Sequence, residues 1–171
     1  DYDFYQSFAN AVIRQTSNRF DEWIEIAKTF LSNITPKFSF GSDPMNDFSL
    51  SFEWNPDNNS ETDILQLPEK IAQKKNVRLI ICLDEFQQIA DFNDSLTFQK
   101  KLRTIWQHQQ NVTYCLFGSK KHLMENIFND KGMPFYKFGD MMFLKKIPTE
   151  EWTRFICDKF RETGKNITPA Q

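Results

Sequence analysis

Two adjacent acids, Asp84 and Glu85, close the apolar run Leu79-Ile80-Ile81-Cys82-Leu83. An unbroken apolar row with two isoleucines predicts a strand buried on both faces. Such a strand delivers the residues at its end to the C-terminal rim of a sheet, where α/β proteins bind ligands. At that rim Asp84 suits Mg²⁺, held through the ion's water shell, because Mg²⁺ gives up water reluctantly. Glu85 points another way and suits the orientation of a water for attack on a phosphoryl group. Neighbouring carboxylates repel each other, so a cation would account for the pair. The same two acids also suit an ordinary helix N-terminus, where they meet free N–H groups.

A second apolar run, Val112-Thr113-Tyr114-Cys115-Leu116-Phe117, ends at Gly118-Ser119. Laid beside the first strand, it would bring the Ser119 hydroxyl to the same rim. Ser119 would equally cap a helix over 120–128. Between the two runs, Leu96, Leu102, Ile105 and Trp106 predict a helix over 95–109. Ile64, Leu65, Leu67 and Ile71 predict another over 61–74, with Pro68 interrupting it or marking its first turn. Met141-Met142-Phe143-Leu144 predicts a third short strand. Pro148 and Thr149 then start a helix with Trp152, Phe155, Ile156 and Phe160 inward. From residue 61 the order is α-β-α-β-α-β-α, which predicts a parallel sheet with right-handed crossovers.

The first sixty residues are organised differently. Phe4, Phe8, Ala11 and Val12 predict an amphipathic helix over 3–16, and Trp23, Ile26, Ala27 and Phe30 a second over 20–32. Phe38 and Phe40, then Phe48, Leu50, Phe52 and Trp54, alternate with polar residues and predict a β-hairpin insertion over 36–60. Seven acids and one Lys between Pro36 and Glu69 make a solvated insertion the plain reading of this stretch.

Among the 171 residues the AVILMFWYC set makes up 40%, with 18 Phe, which is enough for a core and excludes overall disorder. A net charge of -2 argues against a nucleic-acid coat or a polybasic membrane binder. No apolar run approaches the roughly 18 residues of a membrane span, and no signal peptide opens the chain. Cys82, Cys115 and Cys157 form no CxxC pair, so neither a disulfide framework nor a zinc site is expected. Cys82 and Cys115 read as small buried residues, and a reduced, cytoplasmic setting is expected. His108 and His122 have no acids at ligand spacing. The opening Asp1-Tyr2-Asp3-Phe4 lacks an initiator Met, which suggests a piece of a longer protein.

The segments Ile81-Cys82-Leu83-Asp84-Glu85-Phe86-Gln87 and Cys115-Leu116-Phe117-Gly118-Ser119-Lys120-Lys121-His122-Leu123-Met124 resemble the AAA-like P-loop ATPases of the archaeal or STAND type. Pro134-Phe135-Tyr136, Ile147-Pro148 and Trp152 continue the resemblance in order. It implies binding and hydrolysis of ATP with Mg²⁺. By motif, Asp84 is the Mg²⁺-associated acid of a Walker B strand, Glu85 the catalytic base and Ser119 the phosphate sensor. Gln87, just after the acids, stands among the nucleotide-binding positions, placed to contact the nucleotide edge or a neighbouring residue. It also implies a three-layer P-loop NTPase-like core over 1–147, incomplete in its first strands, and the start of a helical lid over 148–171. Two departures stand out. The GxxxxGK[ST] loop of the family occurs nowhere in this sequence. Where some relatives carry an Arg before the Pro-Phe-Tyr segment, this chain has Met133, with Lys131 and Lys137 as the nearby cations.

Without that loop a site at Asp84 and Glu85 lacks most of its phosphate grip, so the piece alone is expected to bind ATP poorly. The expected partners are ATP, an upstream segment bearing the loop, downstream domains, and further copies of the chain. Two other functions stay open. One is a non-catalytic interaction module built on the hairpin and exposed aromatics. The other is a DNA-handling protein using residues 92–146, where nine Lys and Arg face four acids.

Overall fold

Helix α1 (Tyr2–Thr16) buries Tyr5, Phe8, Ala9, Val12 and Ile13, a stripe at three- and four-residue spacing. The computed structural model describes residues 2–17, 19–31, 35–39, 49–53 and 60–168. It is a mixed α/β structure, mostly helical, with a small two-stranded parallel sheet. The chain forms two compact units, Asp1–Gly139 and Asp140–Gln171.

In the first unit α1 is followed by α2 (Phe20–Phe30) and by strands β1 (Thr35–Ser39) and β2 (Ser49–Glu53). These strands pair antiparallel, with Lys37 opposite Ser51 and Phe38 opposite Leu50, as the alternating pattern predicts. Phe40, Phe48 and Trp54, also assigned to the hairpin, lie outside the described residues. Helix α3 (Ser60–Lys75) runs unbroken through Pro68. It forgoes the bond that an N–H at 68 would give the Ile64 carbonyl, but buries Ile64, Leu65, Leu67 and Ile71 completely. Asn76, at φ 50, turns the chain out of α3 in the left-handed conformation common at helix ends.

Strand β3 (Leu79–Leu83) and strand β4 (Val112–Leu116) pair in parallel, Leu79 with Val112 through Leu83 with Leu116. A short 3-10 helix (Phe86–Asp91) and α4 (Ser95–Trp106) make the crossover between them. Asp94 caps α4 by accepting from the Thr97 N–H at 3.4 Å. Helix α5 (Lys121–Asn129) comes after β4. A core of rings gathers here: Phe86, Trp106, Phe128 and Phe135 pack on one another at centroid separations of 5.5–6.3 Å. Trp106 stacks on Tyr114 of β4 at 4.0 Å.

Several expectations are corrected. Among the described residues, the β3–β4 sheet is covered on one face only. Leu79, Ile81, Leu83, Val112, Tyr114 and Leu116 are half-buried, whereas Ile80 is 74% exposed and Cys82, Thr113 and Cys115 are exposed too. The two cysteines are therefore not core residues. The helix expected over 95–109 stops at Trp106, and Leu96 lies on its exposed side while Phe98 and Leu102 are buried. In the second unit no strand forms over 141–144. A strand needs a ladder partner, and among the described residues of that unit the only regular element is α6 (Thr149–Glu162). Helix α6 forms where predicted, but Trp152, Phe155, Ile156 and Phe160 are exposed rather than inward. Among the described residues no helix is long and apolar enough to cross a membrane.

Candidate functional site

The ladder between β3 and β4 continues past the strands themselves. Phe117 N–H donates to the Leu83 carbonyl at 3.1 Å, and Phe86 N–H donates to the Phe117 carbonyl at 3.0 Å. These two bonds straddle the acid pair, so the turn carrying Asp84 and Glu85 is tied to the turn carrying Gly118 and Ser119. The C-terminal rim expected from the sequence is thus built by backbone hydrogen bonds.

Glu85 occupies the left-handed region at φ 49 and ψ 38, directly before the 3-10 helix. A non-glycine residue there carries a conformational penalty and marks a position fixed by its surroundings. Its N–H donates to Asp84 Oδ1 at 2.7 Å. Its carboxylate turns toward the second loop, where Ser119 Oγ donates to Oε2 at 3.1 Å. The Gln87 side-chain amide donates to the same oxygen. The Gln87 amide first, then the Ser119 hydroxyl, hold the Glu85 carboxyl below the ordinary Glu range; the Lys120 charge adds a smaller pull in the same direction. Glu85 is therefore ionised at neutral pH.

All four residues singled out in the sequence meet at this rim. Asp84 is exposed, and Glu85 and Ser119 are in direct contact. Gln87, at 2% exposure, faces inward, and its partner is its neighbour Glu85. Among the described residues, no group of three or more His, Cys, Asp or Glu could hold a metal ion. Mg²⁺ held chiefly through its own water shell would ask one exposed carboxylate of the protein, and Asp84 is such a residue.

Two supporting networks were not legible from spacing. Glu69 of α3 accepts from Asn111 N–H at 2.9 Å and from the Asn111 amide at 2.8 Å, while Leu79 N–H donates to the Asn111 carbonyl at 2.9 Å. One carboxylate thereby fixes where both strands begin. Arg103 of α4 donates to the carbonyls of Pro134 and Tyr136 at 2.8 and 2.9 Å, and its guanidinium lies over Phe138. This clamp holds the Pro-Phe-Tyr segment, whose Phe135 is fully buried. Arg103 and Lys101, which pairs with Glu61, are engaged within the fold. The basic stretch of 92–146 is thus a poorer face for phosphate contacts than its charge suggests.

A separate cleft of about 660 Å³ lies between α3 and α4, lined in part by Gln66, Lys70, Lys100 and His108. Comparison with known proteins finds no matching family model, no matching curated protein and no matching solved structure.

Proposed function

We infer that this chain is the catalytic-rim portion of a Mg²⁺-dependent ATP hydrolase with a P-loop-like core, of the STAND or AAA type and acting in the cytoplasm. The observation that carries the reading is the contact between Ser119 and Glu85 at the common C-terminal edge of two adjacent parallel strands. An acid and a hydroxyl from neighbouring strands, with a second acid beside them, are what in-line attack on a terminal phosphate calls for.

In this reading Glu85 orients the attacking water. Its carboxyl is held low, so it acts by placing and polarising the water more than by proton affinity, which suits a reaction governed by positioning. Ser119 presents its hydroxyl to the terminal phosphate. Asp84 is the residue that would hold Mg²⁺ through its water shell, and the ion would supply positive charge for the phosphate oxygens. The phosphate-gripping loop is absent from these 171 residues. We therefore assign that grip to a segment outside them, expected upstream, with the nucleotide state passed on to downstream domains or further copies.

The test joins the chain to its upstream coding segment and compares Mg·ATP turnover of the wild type with Glu85→Gln. Turnover should fall by about 100-fold with ATP still bound. Equal turnover contradicts the assignment.

A second reading, a non-catalytic interaction module, is favoured by a different observation. Helix α6 exposes Trp152, Phe155, Ile156 and Phe160, and Phe143 and Leu144 in the same unit are exposed as well. Apolar surface of this kind marks interaction sites. On this reading Glu85→Gln has no effect on function, whereas Trp152→Ala together with Phe155→Ala abolishes partner binding.

A further inference from the structure

Gln87 is the second residue of the 3-10 helix that comes after the acid pair, and it is almost completely buried. Its Nε2 donates to Glu85 Oε2. Its Oε1 is buried with no hydrogen-bond partner. Turning the amide over would set that oxygen against an ionised carboxylate, so the orientation is electrostatically fixed. An unpaired buried acceptor is costly. A Met of similar volume would fill the same space without that cost. For fold stability alone, then, Gln is a poor choice here, and the reason for it lies at the Nε2 end.

Gly118 makes room for this amide. A Cβ at 118 would stand 2.9 Å from Gln87 Cδ and closer still to Oε1. Gly118 is not among the residues with positive φ. Glycine there gives space and not backbone freedom: with the Gln87 amide where it lies, a Cβ at 118 would displace it. The residue after it is Ser119, the other donor to Glu85 Oε2. Gln87 and Ser119 therefore converge on one carboxylate oxygen from the two turns that the backbone ladder ties together.

We propose that Gln87 is the positioning residue that fixes the Glu85 carboxylate against the Ser119 hydroxyl, and that Gly118 is the gap that admits its amide. As a statement about catalysis this rests on the reading of Glu85 as the water-orienting acid. The contact itself can be tested without nucleotide.

The experiment uses the 171-residue chain and NMR at fixed neutral pH. The probes are the Gln87 side-chain amide and the Glu85 carboxyl carbon. In the wild type the Gln87 amide should exchange with solvent at least about tenfold more slowly than that of exposed Gln88. Glu85→Ala should remove the protection. Gln87→Met should keep or raise the melting temperature while shifting the Glu85 carboxyl signal. Gly118→Ala should shift that signal similarly, and the Gln87→Ala, Gly118→Ala pair should be no less stable than Gln87→Ala alone. This last comparison keeps the test decisive if Gly118→Ala by itself fails to fold. Additive losses in the pair, or a Glu85 signal indifferent to Gln87→Met, overturn the proposal. In the protein joined to its upstream segment, Gln87→Met should lower kcat about tenfold with KM unchanged. Intact coupling without any ATP turnover would sink the ATPase reading and leave the positioning contact standing.

Discussion

Ser119 Oγ donates to Glu85 Oε2 at 3.1 Å, joining two turns that are 34 residues apart in the chain. The contact exists because Phe117 and Phe86 extend the β3–β4 ladder beyond the strands. It places a hydroxyl and an ionised acid side by side at an exposed rim, and the functional reading grows from that pairing.

Removing the hydroxyl should separate chemistry from folding. Ser119 is exposed, so Ser119→Ala should change stability by no more than about 0.5 kcal/mol in urea unfolding. In the protein joined to its upstream segment, the same change should lower Mg·ATP turnover by about tenfold or more. Loss of stability with unchanged turnover would make Ser119 a structural residue.

Arg103 should behave as a structural clamp. It bonds two carbonyls from one guanidinium nitrogen and covers Phe138. Arg103→Lys loses the planar fork, and Arg103→Ala also leaves two carbonyls short of a charged donor. The expected losses are about 1 and about 2 kcal/mol. Chemical denaturation of the two variants checks the order, and equal stability of both with the wild type would refute it.

Stability should depend on acid in a defined direction. At Glu69 burial pulls the carboxyl upward, but the Asn111 N–H, the Asn111 amide and the Gln73 amide together hold it below the ordinary value of 4.5. At Glu22 the Ser17 hydroxyl and the Lys75 ammonium do the same. A carboxyl whose folded value is depressed stabilises the fold above its unfolded value. That contribution fades as pH falls through 4.5 toward the lower folded value. The urea midpoint should hold steady from about pH 7 to about pH 5, then drop. Glu69→Gln should start lower and fall less steeply. A midpoint that rises on acidification contradicts this account.

Cys82 and Cys115 stand opposite each other in the parallel register, both exposed on the open sheet face. Cys157 is half-buried, its thiol 3.8 Å from the Ile167 carbonyl. Iodoacetamide under native conditions, with mass spectrometry as the readout, should mark Cys82 and Cys115 before Cys157. The reverse order would mean that the sheet face is covered in solution.

The sequence makes the strands' positions legible because β-branched runs ending in polar pairs leave few alternatives. The helices are legible because Phe8, Val12, Ile64 and Ile71 repeat at helical spacing. The cover over a strand is a different matter. The apolar character of Ile80 and Cys82 says that a face favours burial; it does not say what buries it, and among the described residues nothing covers that face. Residues 141–144 show the same limit for pairing, since an apolar run becomes a strand only beside another. At the site, Asp84, Glu85 and Ser119 are readable from chemistry and spacing. The inward turn of Gln87 is not, because it depends on the space above Gly118, a contact between residues 31 positions apart. The roles of Glu69 and Arg103 are equally long-range, and a lone Glu or Arg on a helix gives no local sign of them.

The most direct measurement is a titration of Mg·ATP into ¹⁵N-labelled chain, monitored at the backbone amides. The rim reading predicts weak binding, with Kd on the order of 1 mM or above. Shifts should centre on Asp84, Glu85, Gly118, Ser119 and Lys120, and shrink when EDTA removes Mg²⁺. Shifts confined to the α3–α4 cleft around Lys100 and His108, with the rim silent, would contradict it.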